Sequence, residues 1–205
     1  MSKLRIATAI AGIAALGALG ACRSAGASYY TLVAQPEDAA ATGAVPSFQL
    51  DVLPVDVPPD VDRAEIVVRD STGQVTPVQT RAWIAPLARE LRHAFSDDLT
   101  RALGGVRDIA GVTPADGMPV FRVKLVVKRF ESQLDKRALI EAISTVRDPS
   151  KTLPVLVCSH RASEAARPGY AALAEAHQRA LTTIAKQIAR SIQALQAGSP
   201  AACGG

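Results

Sequence analysis

From Val120 to Phe130 the chain alternates, and this alternation limits the fold more than any other stretch. Phe121, Val123, Leu125 and Val127 point one way, while Arg122, Lys124, Val126 and Lys128 point the other. Successive side chains of a strand leave on opposite faces, so the pattern predicts a strand with one apolar and one mostly basic face. A lone strand leaves its backbone groups unpaired and must find neighbours. Leu139 to Val146 alternates in the same way, Asp148-Pro149-Ser150 is turn chemistry, and Leu153 to Ser159 returns as a third strand. Residues 120–160 are thus expected to form an antiparallel meander.

Elsewhere the apolar period changes. Ile84, Leu87, Leu91, Phe95, Leu99 and Ala102 recur at three- and four-residue spacings, which predicts a helix opening around Trp83-Ile84-Ala85-Pro86-Leu87 and stopped by Gly104-Gly105. Pro86 suits a first helical turn, where its missing N–H has no partner to lose. Arg89, Glu90, Arg92, Asp97 and Asp98 read as the wet face of this helix. Pro168-Gly169 precedes a second stripe: Tyr170, Leu173, His177, Leu181, Ile184, Ile188, Ile192 and Leu195. Gln187 falls off that stripe. Before the first helix, Ser28 to Leu32 is β-prone, Phe48 to Val55 alternates, and Glu65 to Arg69 reads as a strand. Ser71-Thr72-Gly73-Gln74 is a turn from which Val75 to Val78 pairs back. Strands, helix, strands, helix, with one buried stripe per helix, predict a single-domain α/β fold: a mixed sheet with two long amphipathic helices packed on it.

The N-terminus decides where such a domain works. Lys3 and Arg5 form a positive n-region, Ile6 to Leu19 is an uncharged apolar run, and Gly20-Ala21 are small residues directly before Cys22. This order is that of a secretory leader, too short for a comfortable membrane span. Leu19-Gly20-Ala21-Cys22 resembles a bacterial lipobox. The resemblance implies cleavage before Cys22, a diacylglycerol on its Sγ and acylation of the new amine. The plain alternatives are a simple signal peptide or an uncleaved anchor. The expected organisation is a signal peptide over 1–21, a lipidated tether and loop over 22–46, the domain over 47–197 and a flexible tail over 198–205.

Composition narrows the function. The formal charge is +4 and the leader carries two of the cations, so the exported part is only mildly basic. Aromatic residues make up 4% of the chain, too few for base-stacking platforms, so no nucleic-acid partner is expected. With Cys22 assigned to lipid, Cys158 and Cys203 remain: either a disulfide tying the tail to the domain, or a buried Cys158 and a free Cys203. Ser150-Lys151-Thr152 lacks the glycines of a phosphate-binding loop, and no G-x-S-x-G elbow is present. His93, His160 and His177 have no metal-ligand spacing; His177, on the apolar stripe, is expected as a packed histidine with one hydrogen-bond partner, and His93 as solvated. No enzyme, cofactor or metal site is expected. The Arg122, Lys124, Lys128 row is either a solvated face or a contact for an acidic partner or anionic lipid.

One constellation is more specific. Asp51-Val52-Leu53-Pro54-Val55, Val57-Pro58-Pro59, Asp62-Arg63-Ala64-Glu65-Ile66-Val67 and Arg81-Ala82-Trp83-Ile84-Ala85-Pro86-Leu87 follow in order. With Tyr29-Tyr30-Thr31-Leu32, and Ala176-His177-Gln178-Arg179-Ala180-Leu181 running into Ile184-Ala185-Lys186-Gln187-Ile188-Ala189, they resemble the ABC-type transport auxiliary lipoproteins of the PqiC type. The resemblance implies a periplasmic, lipid-anchored domain on the outer membrane. It would work with a permease, an ATPase and an MCE-domain protein in lipid transport and membrane integrity, bind rather than catalyse, and associate with copies of itself in a ring. Arginine at position 23, where inner-membrane retention uses aspartate, implies the outer membrane. Within the motifs, Pro58, Asp62, Arg63, Trp83 and Pro86 are expected to be structural, with Arg63 pairing a carboxylate or lying at a subunit interface. The competing readings are a structural envelope lipoprotein that binds cell wall or an assembly machine, and an anchored hydrolase.

Overall fold

The computed structural model describes residues 26–35, 47–114, 117–147, 155–198 and 202–204. Among these, seven strands and two helices form a mixed α/β domain. The strands are β1 (Ser28–Tyr30), β2 (Gln49–Val52), β3 (Glu65–Arg69), β4 (Val75–Trp83), β5 (Val120–Gln133), β6 (Arg137–Arg147) and β7 (Leu156–Ala165). The helices are α1 (Leu87–Ala102) and α2 (Tyr170–Gln196).

The sheet runs in the order β1-β4-β3-β5-β6-β7, with β2 also on β5. The expected meander is present: β5 pairs antiparallel with β6, and β6 with β7. The other edge of β5 is shared. β2 lies parallel to residues 120–123, and the chain then follows β5 as far as Asp56, whose carbonyl accepts from Val127 at 2.8 Å. Pro58 and Pro59 have no N–H for the ladder, and here the chain leaves β5. After the 58–64 turn, β3 rejoins β5 beside Ser132. The alternation along β5 is broken once, at a bulge between Val127 and Arg129 that adds Lys128.

Both helices contribute to one buried core. Leu91, Phe95 and Leu99 of α1 meet Leu181, Ile184, Ile188 and Ile192 of α2 and the sheet residues Leu50, Val52, Phe121, Val123 and Leu125. The opposite side of β5–β7 carries no helix. There, Arg122, Lys128, Arg129, Val157, Ser159 and Arg161 are exposed.

Four local expectations are corrected. β4 continues to Trp83, so this residue ends a strand and does not open a helix. Ile84 is 69% exposed and absent from the α1 stripe, because its N–H donates to the Tyr30 carbonyl and prolongs the β1–β4 pairing. The helix starts at Leu87, since Pro86 has an extended ψ of 141° and disfavours helical geometry at Ala85. The supposed wet face of α1 is only partly wet. Glu90 is buried, accepting from the Thr31 hydroxyl and the Leu32 amide. Asp98 is buried too, bonded to Thr182 and Arg101; burial pushes its carboxyl up despite those two partners.

Candidate docking face

The motif residues converge at the start of α1. The Pro58 carbonyl closes a turn by accepting from Val61 and Asp62. Asp62 Oδ1 accepts from the Ala88 amide at 3.2 Å, and the Arg63 carbonyl accepts from Leu87 at 3.3 Å. Pro86 offers no side-chain cap, so this remote turn satisfies amides that the first helical turn leaves unpaired. The Arg63 side chain is exposed and forms no ion pair among the described residues, so the expected carboxylate partner is not found there. Trp83 is fully buried, its backbone N–H donating to the Ala64 carbonyl and its ring edge-on to Phe130 and His177.

His177 is inside the core. Its ring stacks on Phe130 at 4.0 Å, and Nε2 lies 2.8 Å from Ser132 Oγ. Among the described residues Nδ1 has no partner, and burial lowers the imidazole to about 3. His160 repeats the arrangement with Ser144 at 2.8 Å and Gln187 at 2.9 Å. Both serines are buried, and an imidazole titrating near 3 is a poor base at neutral pH. The Ser132–His177 pair and the His160–Gln187 bond tie the helix α2 to the sheet, while Ser144–His160 joins β6 to β7. Among the described residues, no group of three His, Cys, Asp or Glu is placed to hold a metal.

The helix-free face carries a row of paired charges. Arg122 Nε bonds to Asp51 at 2.8 Å, and Lys124 Nζ reaches Asp56 at 2.7 Å and the Pro54 carbonyl at 2.6 Å. Two of the three charges in the basic row are thereby met by carboxylates from the segment beside β5. Lys128, displaced at the bulge, has no ion-pair partner among the described residues. Farther along, Glu131 receives Arg129 at 2.6 Å, Arg69 at 3.4 Å and Arg137 at 4.0 Å. Glu141 is shared by Arg129 and Arg161. Hydrogen bonding to Glu131 holds the Arg129 guanidinium above its ordinary range.

Sequence reading did not single out this four-arginine, two-glutamate network. Arg129 and Glu131, two apart on one strand, give a local signal, but the others come together only through strand register. Cys158 on β7 and Cys203 in the tail are joined in a disulfide with Cα atoms 5.6 Å apart. Gly204 N–H donates to Ser191 Oγ on α2, so this part of the tail lies against the domain. Cys22 lies outside the described residues. The structure therefore gathers Pro58, Asp62, Arg63, Trp83 and Pro86 at one end, brings Lys128 of the basic row beside Pro58, and places Arg122, Lys124 and the cysteine pair elsewhere.

The model of the ABC-type transport auxiliary lipoprotein component family matches residues 30–189. The chain belongs to this family. The fold agrees with solved structures. One, of an uncharacterized protein, is 18% identical, covers 82% of this chain and 99% of its own, and superposes with a TM-score of 0.66. Another, a Xanthomonas campestris protein of the DUF330 family, is 20% identical, covers 83% of this chain and 98% of its own, with a TM-score of 0.62. No curated protein matches the chain. As a family member, this auxiliary lipoprotein belongs to a transport system of the cell envelope and to a family of transport components rather than of enzymes. Among the described residues, no helix is long and apolar enough to cross a membrane.

Proposed function

We propose that this auxiliary lipoprotein is held on the periplasmic face of the outer membrane through acylated Cys22. There it serves an MCE-type ABC system that moves lipids across the envelope. The family match over residues 30–189 carries this reading. The leader ending at Cys22 and the arginine at position 23 support the anchor and its membrane. Triple acylation makes release negligible, because each buried methylene contributes roughly 0.8 kcal/mol.

Its work is binding. An anchor confines the domain to the membrane surface and raises its local concentration there, so weak contacts with a partner suffice. The helix-free face of β5–β7 is the surface offered to the distal end of the MCE-domain protein, with copies of the auxiliary domain arranged in a ring around it. Arg122 and Lys124, steadied by Asp51 and Asp56, are the rigid polar contacts on this face.

Association is tested with the mature chain carrying Cys22→Ser and the MCE-domain protein of the same system. Micromolar or tighter binding that weakens in an Arg122→Glu, Lys124→Glu variant is expected. No association at high micromolar concentration would reject the docking role.

A further inference from the structure

The turn that caps α1 also roofs a cavity of about 160 Å³ on the helix-free face. Pro58, Val61 and Val67 give it an apolar side, and Arg69, Lys128 and Arg129 give it a cationic one. Its acidic groups are Glu131 and, at the turn, Asp60. Glu131 is already shared by three guanidinium groups. Arg129 is spent on Glu131 and Glu141. Arg69 is not: its Nε faces Glu131, and both of its Nη groups are without a hydrogen-bond acceptor among the described residues. Lys128 Nζ likewise has none, and the bulge at this position re-aims it out of the strand's regular alternation.

We propose that this cavity binds a phosphate group, gripped by the Arg69 fork and the Lys128 ammonium. The fork matches two oxygens of a phosphate, and lysine supplies a point charge. The volume corresponds to roughly five waters at about 30 Å³ each, enough for a phosphate and the few carbons attached to it. The apolar side contributed by Pro58, Val61 and Val67 suits the carbons of a phosphoester. A phospholipid headgroup and free phosphate share this chemistry. The phospholipid source rests on the lipid-transport reading, whereas the phosphate site stands on the cavity alone.

The test uses the chain from residue 22 with Cys22→Ser, which keeps every described residue. Amide resonances of residues 128–131 are followed by NMR during titration with inorganic phosphate and with glycerol 3-phosphate, against sodium chloride of equal ionic strength. Cosedimentation is measured with phosphatidylcholine vesicles with and without one-third phosphatidylglycerol. Both phosphates are expected to shift these amides where chloride does not. Lys128→Ala and Arg69→Gln should each weaken binding about tenfold, and Lys186→Ala on exposed α2 surface should leave it unchanged. Vesicle binding lost in the same two variants assigns the site to a headgroup; phosphate binding without vesicle binding assigns it to free phosphate. No shift at tens of millimolar phosphate, or equal loss in Lys186→Ala, overturns the proposal. Either result is independent of whether the MCE-domain protein binds.

Discussion

Asp62 Oδ1 accepts the amide hydrogen of Ala88 at 3.2 Å, across 26 residues of sequence. Helix α1 is thus capped by a turn that the chain makes before β3 and β4 are laid down. Replacing a capping aspartate by alanine typically costs about 0.5–2 kcal/mol. Asp62→Ala is expected to lower the urea midpoint accordingly without changing the slope, and Asp62→Asn, which keeps an acceptor, to lose less. Equal losses would show that the carboxylate acts by charge rather than by capping.

The buried imidazole gives a pH signature. His177 titrates near 3 when folded and near its ordinary 6.5 when unfolded. Between those values the unfolded chain binds the extra proton, so stability falls as pH falls, by about 1.4 kcal/mol per pH unit well below 6.5. His160, lowered by burial against the raising effect of Gln187, adds in the same direction. Unfolding monitored by Trp83, the only tryptophan and 6.1 Å from the His177 ring, should show this slope between pH 6 and 4.5. His177→Gln should flatten it. An unchanged slope in that variant would contradict the assignment.

Helix α2 should tolerate little loss on its inner face. Ile188 is fully buried, so Ile188→Ala is expected to cost 2–5 kcal/mol. Lys186→Ala, on exposed surface, should be near neutral. Gln187 is not a neutral control, although its spacing takes it off the apolar stripe, because its side chain holds His160 Nδ1.

The periodic parts of this fold were legible. Strand alternation and helical stripes located β3, β5, β6 and the buried face of α2, because period 2 and period 3.6 follow directly from backbone geometry. The junctions were harder. Trp83 and Ile84 match a helical stripe as readily as a strand end, and only the pairing of β1 with β4 decides between them. The second half of β7 was missed because His160 and Ala162 are unremarkable core residues in sequence; partners on β6 and α2 bury them. The arginine network around Glu131 and Glu141 depends on register among four strands, which no local spacing encodes.

The cysteine pair can be read chemically. Cys158 and Cys203 are expected to resist alkylation without reductant and to take two labels after reduction. A Cys203→Ser variant should lose about 2–4 kcal/mol, the usual contribution of a disulfide that closes a loop of this size, here a separation of 45 residues. Two alkylated thiols in the untreated protein would contradict the bridge.

The central claim is that this anchored domain acts by docking to an MCE-domain protein at the outer membrane. Whole-cell photocrosslinking tests it most directly, with the probe placed at Ser159, exposed on the helix-free face, and at Lys186 on the opposite side as the control. The account predicts an adduct with the MCE-domain protein from Ser159, in the outer-membrane fraction, that disappears with Cys22→Ser and is absent from Lys186. Adducts confined to cell-wall proteins, or an Arg23-bearing chain found in the inner membrane, would contradict it.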